Sequence, residues 1–175
     1  DNLDTAYSET SIDVNLERET SEIFAENLPA PILPQRNAKT EKRFVEAISD
    51  GLKQAMQLND NLVLMGQDIA EYGGVFKITD GFVNEFGNDR VRNTPLCESA
   101  ILGIALGLSI KKQKAMVEMQ FADFVTCGFN QIINNLSKSH YRWKQNADVV
   151  VQMPTGGGVA AGPFHSQSNE AWFFH

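Results

Sequence analysis

Long apolar runs are missing from this sequence of 175 residues. The longest candidate, Ala100 to Ile110, has 11 residues before Lys111 and Lys112 close it, roughly half of the 20 or so needed to cross a bilayer. It reads as a buried helix, and no membrane partner is expected. Cysteine is scarce too. Cys97 and Cys127 stand 30 positions apart with no C-x-x-C spacing and no nearby histidine cluster. That excludes a disulfide framework or a zinc site and fits two free thiols in a reducing cytoplasm. Basic charge is short in the first 35 residues, where eight acids face Arg18 alone, while the other 14 basic and 14 acidic residues cancel. Nothing resembles the basic footprint of a nucleic-acid binder, so no nucleic-acid partner is expected. The N-terminus lacks a basic segment followed by an apolar core, so no secretory leader is expected. The first residue is Asp1 rather than Met, which suggests a segment upstream.

What is present begins with 42% hydrophobic residues, enough for one respectable core. Residues 1–38 read as an acidic, Pro-rich interdomain linker, with three of the six prolines inside Pro29 to Pro34. Residues 39–175 read as one domain, truncated at its C-terminus. Phe44, Ile48, Leu52 and Met56 recur every four residues behind Thr40, which predicts an amphipathic helix capped by that threonine. A short apolar strand follows at Leu62 to Met65, then a helix over Gly81 to Phe86 and a strand over Arg90 to Asn93. Helical spacing returns in Glu98 to Ile110. A strand at Ala115 to Met119, a long helix from Asp123 to Ser139 and a strand at Asp148 to Gln152 complete the series. Strands apolar on both sides, alternating with helices, predict an α/β domain: three layers, with a mainly parallel sheet covered by helices on both faces. Ligands of such sheets meet the loops at the carboxyl ends of strands.

Three such loops hold the candidate chemistry. Asn93-Thr94-Pro95-Leu96-Cys97-Glu98 leaves the carboxylate of Glu98 at the mouth of the sheet. An acid in the first turn of a helix also satisfies orphan amides and the helix dipole, so the pattern leaves both uses open. His165, in Pro163 to Ser168, puts an imidazole suited to proton transfer directly after the glycine-rich stretch Gly156 to Gly162. A histidine that only bonds within its own loop has the same pattern. Those glycines match neither of the common phosphate-binding fingerprints and read as backbone freedom. Gln120-Phe121-Ala122-Asp123-Phe124 offers two rings on which a planar heterocycle could stack, although such rings are more often core. Gly66-Gln67-Asp68 and Gly73-Gly74-Val75-Phe76 complete the set, the paired glycines suiting a tight turn or a close backbone approach.

These five segments, in this order and spacing, resemble the beta-type half of thiamine-diphosphate-dependent 2-oxo acid dehydrogenases, from about Thr40 to His175. Gly73 to Phe76 and Asn93 to Glu98 are worded more like the branched-chain (2-oxoisovalerate) enzymes than the pyruvate enzymes. The linker resembles the segment joining alpha and beta halves in single-chain versions. The resemblance implies a transketolase-like pyrimidine-binding domain. By its motif Glu98 would hydrogen-bond the aminopyrimidine ring of thiamine diphosphate, favouring the imino tautomer that removes the thiazolium proton, and His165 would assist proton transfer. Phe124 matches the aromatic packed on the pyrimidine, and Leu96 and Gln120 match neighbours lining its pocket. The implied activity is oxidative decarboxylation of a 2-oxo acid, with the acyl group passing to a lipoyl-bearing acyltransferase component in a homo- or hetero-oligomer.

Magnesium would be bound by the alpha half, whose GDG…N motif this chain does not contain. A structural potassium ion held by backbone carbonyls around Ala147 to Val150 is compatible with the resemblance. The family's usual continuation beyond Trp172-Phe173-Phe174 is expected to lie elsewhere, and the 175-residue chain alone is expected to be inactive. Two departures stand out: Gln67 occupies a position that is often an acid, and Trp143 to Asp148 is shorter than in many relatives. The alternatives are another enzyme of the transketolase type, including deoxyxylulose-phosphate synthase, or a non-catalytic assembly module; retention of both Glu98 and His165 weighs against the module. A nicotinamide-binding domain would need a glycine fingerprint that is missing.

Overall fold

Residues 1–25, 30–31, 33 and 40–174 are described by the structure, a computed structural model. The chain divides into two compact units, Asp1–Ile32 and Leu33–His175. In the first, part of the acidic segment read as a linker forms two short helices, α1 (Asn2–Ser8) and α2 (Leu16–Ser21). A side-chain acceptor starts each one. Asp1 Oδ1 accepts from the Leu3 amide at 3.3 Å and Asn15 Oδ1 from that of Arg18 at 2.8 Å. Neither helix buries a residue. Most of the proline-rich stretch, and the expected boundary at residue 38, lie outside the described residues.

The second unit opens with α3 (Phe44–Leu58). Thr40 does not cap it, contrary to the sequence reading. The helix starts behind Arg43 because Glu46 reaches back, its Oε2 accepting from the Arg43 amide at 3.0 Å and its Oε1 from the guanidinium at 2.7 Å. The four-residue repeat also overstates the buried stripe. Successive members drift by about 40° around a helix of 3.6 residues per turn, so Met56 is fully buried while Phe44 is exposed.

Four strands follow with helices between them: β1 (Leu62–Gly66), α4 (Phe82–Phe86), β2 (Val91–Asn93), α5 (Glu98–Ile110), β3 (Lys114–Glu118) and, after a broken helical stretch, β4 (Val149–Gln152). All pairings are parallel and the order is β2-β1-β3-β4. Alternation along β1 divides the core. Leu62 and Leu64 face Met56, Phe82 and Val91 under α3 and α4, whereas Val63 and Met65 face Ile101, Leu102 and Ala105 of α5. The sheet is therefore covered on both faces, as expected. Strand order reverses at β1, and an open α/β sheet leaves its ligand crevice at such a reversal. No helix among the described residues is long and apolar enough to cross a membrane.

The single helix expected over Asp123 to Ser139 is instead four pieces. A 3-10 turn (Ala122–Phe124) leads to α6 (Val125–Asn130), a π-helical segment (Gln131–Leu136) and α7 (Ser139–Trp143). Ile132 and Leu136 of the wide segment both pack on the α5 side of the sheet, and Ser137 bonds back five residues to the Ile132 carbonyl at 2.9 Å. Asparagine is a weak helix former, and Asn130, Asn134 and Asn135 spend their side chains on local bonds. Tertiary packing therefore sets the local pitch here.

Glycine at position 128 lets α6 lie on the first turn of α5. A Cβ there would meet Leu102 Cδ1, in a fully buried side chain, and the Glu98 carbonyl oxygen at 3.4 Å. Gly128→Ala should destabilise the domain by about 1–3 kcal/mol despite the better helix propensity of alanine, because Leu102 has nowhere to go. A urea-unfolding midpoint at or above wild type would show that the two helices separate without cost.

Candidate active site

Backbone pairing continues one step beyond the β1–β2 ladder: the Thr94 amide donates to the Gly66 carbonyl at 2.9 Å. This holds the loops leaving the two strands side by side. Asn93 ties them further, accepting from the Ala70 amide and donating to Glu71, each at 2.8 Å. In that frame the buried Gln67 donates from Nε2 to Glu98 Oε1 at 3.2 Å, 31 residues away in sequence. Glu98 is half-buried, and its second oxygen has no bonded partner among the described residues. Leu96, two residues earlier, is 80% exposed at the same strand end.

At the ends of β3 and β4 a second group assembles, this one aromatic. Phe121 and Phe124 meet edge to face at 5.8 Å, and the His165 imidazole lies edgewise to both, at 5.0 and 5.4 Å between ring centroids. Phe76, from the loop after β1, adds a third phenyl ring 5.9 Å from Phe121. Its other side borders an apolar cleft of about 300 Å³ lined by Val45, Ile48, Ile78, Met153 and Pro154 among others. Gln120 is half-buried between β3 and Phe121.

The five residues singled out in the sequence thus sit at one end of the sheet. Glu98 pairs with Gln67, and Phe124 with His165. Leu96 and Gln120 stand beside these groups without a hydrogen bond or ring contact to either. Glu98 follows β2 and His165 follows β4, so they leave the two outer strands of the four, which strand spacing sets about 14 Å apart. No hydrogen bond joins them. Among the described residues there is no group of three or more His, Cys, Asp or Glu that could hold a metal ion.

Two side chains of this region escaped the sequence reading. Phe76 was read only as the end of a glycine turn. Glu118, the last residue of β3, is 4% exposed on the α3 side of the sheet and accepts from Gln152 Nε2 at 2.8 Å. Burial pushes its carboxyl up to about 7, against the smaller opposing effect of the Gln152 bond. An acid inside the apolar run Ala115 to Met119 was the available signal. The paired glycines do serve close approach. A Cβ on Gly73 would lie 2.6 Å from Asp80 Cα, and one on Gly74 would lie 3.1 Å from Glu118 Oε1. Both have positive φ, near +77°.

Residues 41–175 match the transketolase pyrimidine-binding domain. The chain is 41% identical over 132 residues to the 2-oxoisovalerate dehydrogenase subunit beta of Bacillus subtilis (strain 168), covering 74% of this chain and 40% of that protein. It is 36% identical over 149 residues to the pyruvate dehydrogenase E1 component subunit beta of Leifsonia xyli, covering 83% of this chain and 44% of that protein. To the 3-methyl-2-oxobutanoate dehydrogenase subunit beta of Mycobacterium tuberculosis it is 39% identical over 134 residues, or 75% of this chain and 38% of that protein. The chain therefore spans less than half the length of these curated relatives.

Proposed function

Because this chain belongs to the transketolase pyrimidine-binding domain family, we propose that it supplies the pyrimidine side of a thiamine-diphosphate site in the decarboxylating component of a 2-oxo acid dehydrogenase complex. The observation that carries this reading is the Gln67–Glu98 pair at the carboxyl end of a parallel sheet, with the ring cluster of Phe121, Phe124 and His165 after the neighbouring strands. Beta-subunit relatives named for 2-oxoisovalerate, 3-methyl-2-oxobutanoate and pyruvate dehydrogenases support it.

The residues present fit the group. Glu98 offers an open acceptor oxygen beside an exposed apolar side chain, Leu96, which suits a flat ring bearing a hydrogen-bonding edge. Thiamine diphosphate, when bound, supplies the carbon nucleophile and the electron sink for loss of carbon dioxide. The Gln67 amide fixes Glu98 Oε1 and leaves Oε2 open, so that Glu98 would be the residue that hydrogen-bonds and exchanges a proton with the ring. Leu96, Phe124 and Gln120 would supply the apolar and polar lining against which the ring is held. Phe121 and Phe124 keep water from the His165 imidazole, which moves protons to and from substrate oxygen. The apolar cleft bordered by Phe76 favours a branched aliphatic side chain on the 2-oxo acid, the acyl product then passing to a lipoyl group. An alpha half supplies the pyrophosphate and magnesium contacts, so the 175-residue chain alone is inactive.

The test is decarboxylation by the full-length protein assembled with its alpha half, given magnesium and thiamine diphosphate and an artificial electron acceptor. Turnover that requires the cofactor, ranked 2-oxoisovalerate and 2-oxoisocaproate above pyruvate, is the expected result. A folded assembly that turns over none of the three would favour a non-catalytic assembly module instead. Decarboxylation by the isolated chain would refute the division of the site.

A further inference from the structure

The His165 side chain is placed by its loop and by two neighbouring rings. Its ring makes edge contacts with Phe121 and Phe124 and no side-chain hydrogen bond among the described residues. Edge-to-face contacts favour one ring geometry but do not hold the backbone that carries the imidazole. Within the loop Thr155 donates to the Gln167 carbonyl, Gln167 to the Pro163 carbonyl and the Ala161 amide to Ser166 Oγ at 2.9 Å. What ties it to the rest of the domain is a three-residue turn. The Ala122 amide donates to the Pro154 carbonyl at 2.8 Å, the entry of the loop. Asp123 Oδ1 accepts from the Gln167 amide at 3.3 Å, and the buried Asn169 donates from Nδ2 to the Ala122 carbonyl at 2.9 Å, the exit. The loop is thereby closed onto the turn at both ends, with His165 two residues before the Asp123 contact.

We propose that Asp123 is the positioning residue for His165, clasping the loop after β4 to the turn after β3 so that the imidazole is fixed between Phe121 and Phe124. The inference rests on the reading of His165 as the proton-moving group. Asp123 is only 8% exposed, its Oδ2 is buried without a hydrogen-bond partner, and it joins no ion pair among the described residues. Burying a half-satisfied carboxylate is unfavourable for folding. The one hydrogen bond of its carboxylate is with the loop that carries His165, and the turn together with the residue before it presents the two rings that wall the imidazole. Asp123 therefore acts on the reaction through His165.

In the assembled enzyme, Asp123→Ala should lower kcat about 10- to 100-fold, the scale of an ångström-level misplacement, while KM for the 2-oxo acid and cofactor affinity stay within about twofold. Asp123→Asn keeps an acceptor oxygen and should restore kcat to within about threefold. In a His165→Ala background, Asp123→Ala should cost almost nothing more, because the two act as one unit. Gln167→Pro removes the donor amide and leaves Asp123 intact, but it also deletes the bond from Gln167 Nε2 to the Pro163 carbonyl. With Gln167→Ala, which loses only that side-chain bond, as its control, the further loss of kcat in Gln167→Pro should match that of Asp123→Ala, and this comparison serves if Asp123→Ala does not fold. An equal loss in both backgrounds, a failed rescue by asparagine, or an unchanged kcat in Asp123→Ala would overturn the proposal. If the wild-type assembly has no turnover, the reading of the site fails, and the clasp is judged by nuclear magnetic resonance. The ring-current-shifted His165 signal of the chain should then move in Asp123→Ala and stay in Asp123→Asn, and a signal that stays in both would refute it.

Discussion

Replacing Glu98 by alanine in the assembled enzyme is expected to cut cofactor-dependent decarboxylation by about 10³-fold, within the range lost when a positioned proton-transfer group is removed. Glutamine in the same place should cost nearly as much, because an amide cannot exchange a proton with a ring nitrogen. The fold should survive both changes. Glu98 is half-buried in the first turn of α5, where a carboxylate adds about 0.3–1 kcal/mol by facing the helix dipole, so Glu98→Gln, which can still accept from Gln67, should hardly move the unfolding midpoint. Glu98→Ala also leaves the buried Gln67 amide without its acceptor and should cost about 1–3 kcal/mol. The two measurements together separate chemistry from stability. If Glu98→Gln keeps more than about a tenth of the rate, the carboxylate is only a helix cap and the proposed site loses its central group.

The second large effect concerns stability and pH. Glu118 has its carboxyl raised by burial from the ordinary 4.5 to about 7. A raised carboxyl binds its proton more tightly when folded than when unfolded. Its contribution is therefore fully favourable below about pH 4.5, is lost as pH rises through about 7, and is flat above that. With 1.36 kcal/mol per unit, the loss approaches about 3 kcal/mol as an upper bound. Glu118→Gln stays neutral at every pH, can still accept from Gln152, and has nearly the same volume beneath Gly74. The variant should match wild type in urea unfolding at pH 4.5 and exceed it by about 2–3 kcal/mol at pH 8. A difference that is the same at both pH values would mean that burial does not raise the Glu118 carboxyl in the folded state. Since Glu118 lies on the α3 side of the sheet, away from α5 and Glu98, the gain should leave the Glu98 chemistry untouched.

What sequence alone determined was whatever depends on short-range pattern. Apolar runs at Leu62 to Met65 and Ala115 to Met119, each within about one residue of the observed strand, demanded burial on both faces and hence a parallel sheet under helices. Loops at strand ends, with Glu98 and His165 in them, followed from that alternation, and the five segments pointed to the family that residues 41–175 match. Tertiary structure decided whatever depends on which strands are neighbours. β1 pairs with both β2 and β3, and only that order lets Gln67 meet Glu98 and buries Glu118 beneath Gly74. The turn at Ala122–Phe124 is a further case. Read locally, Asp123 opens a long helix, but in the fold it lies in a 3-10 turn ahead of α6, where its carboxylate accepts from the Gln167 amide and the neighbouring Ala122 carbonyl accepts from the buried Asn169, both more than 40 residues ahead. Spacing along a chain fixes which face a side chain takes within its own element. It is silent about partners brought close by strand order, because that order is chosen by the free energy of burying every face at once.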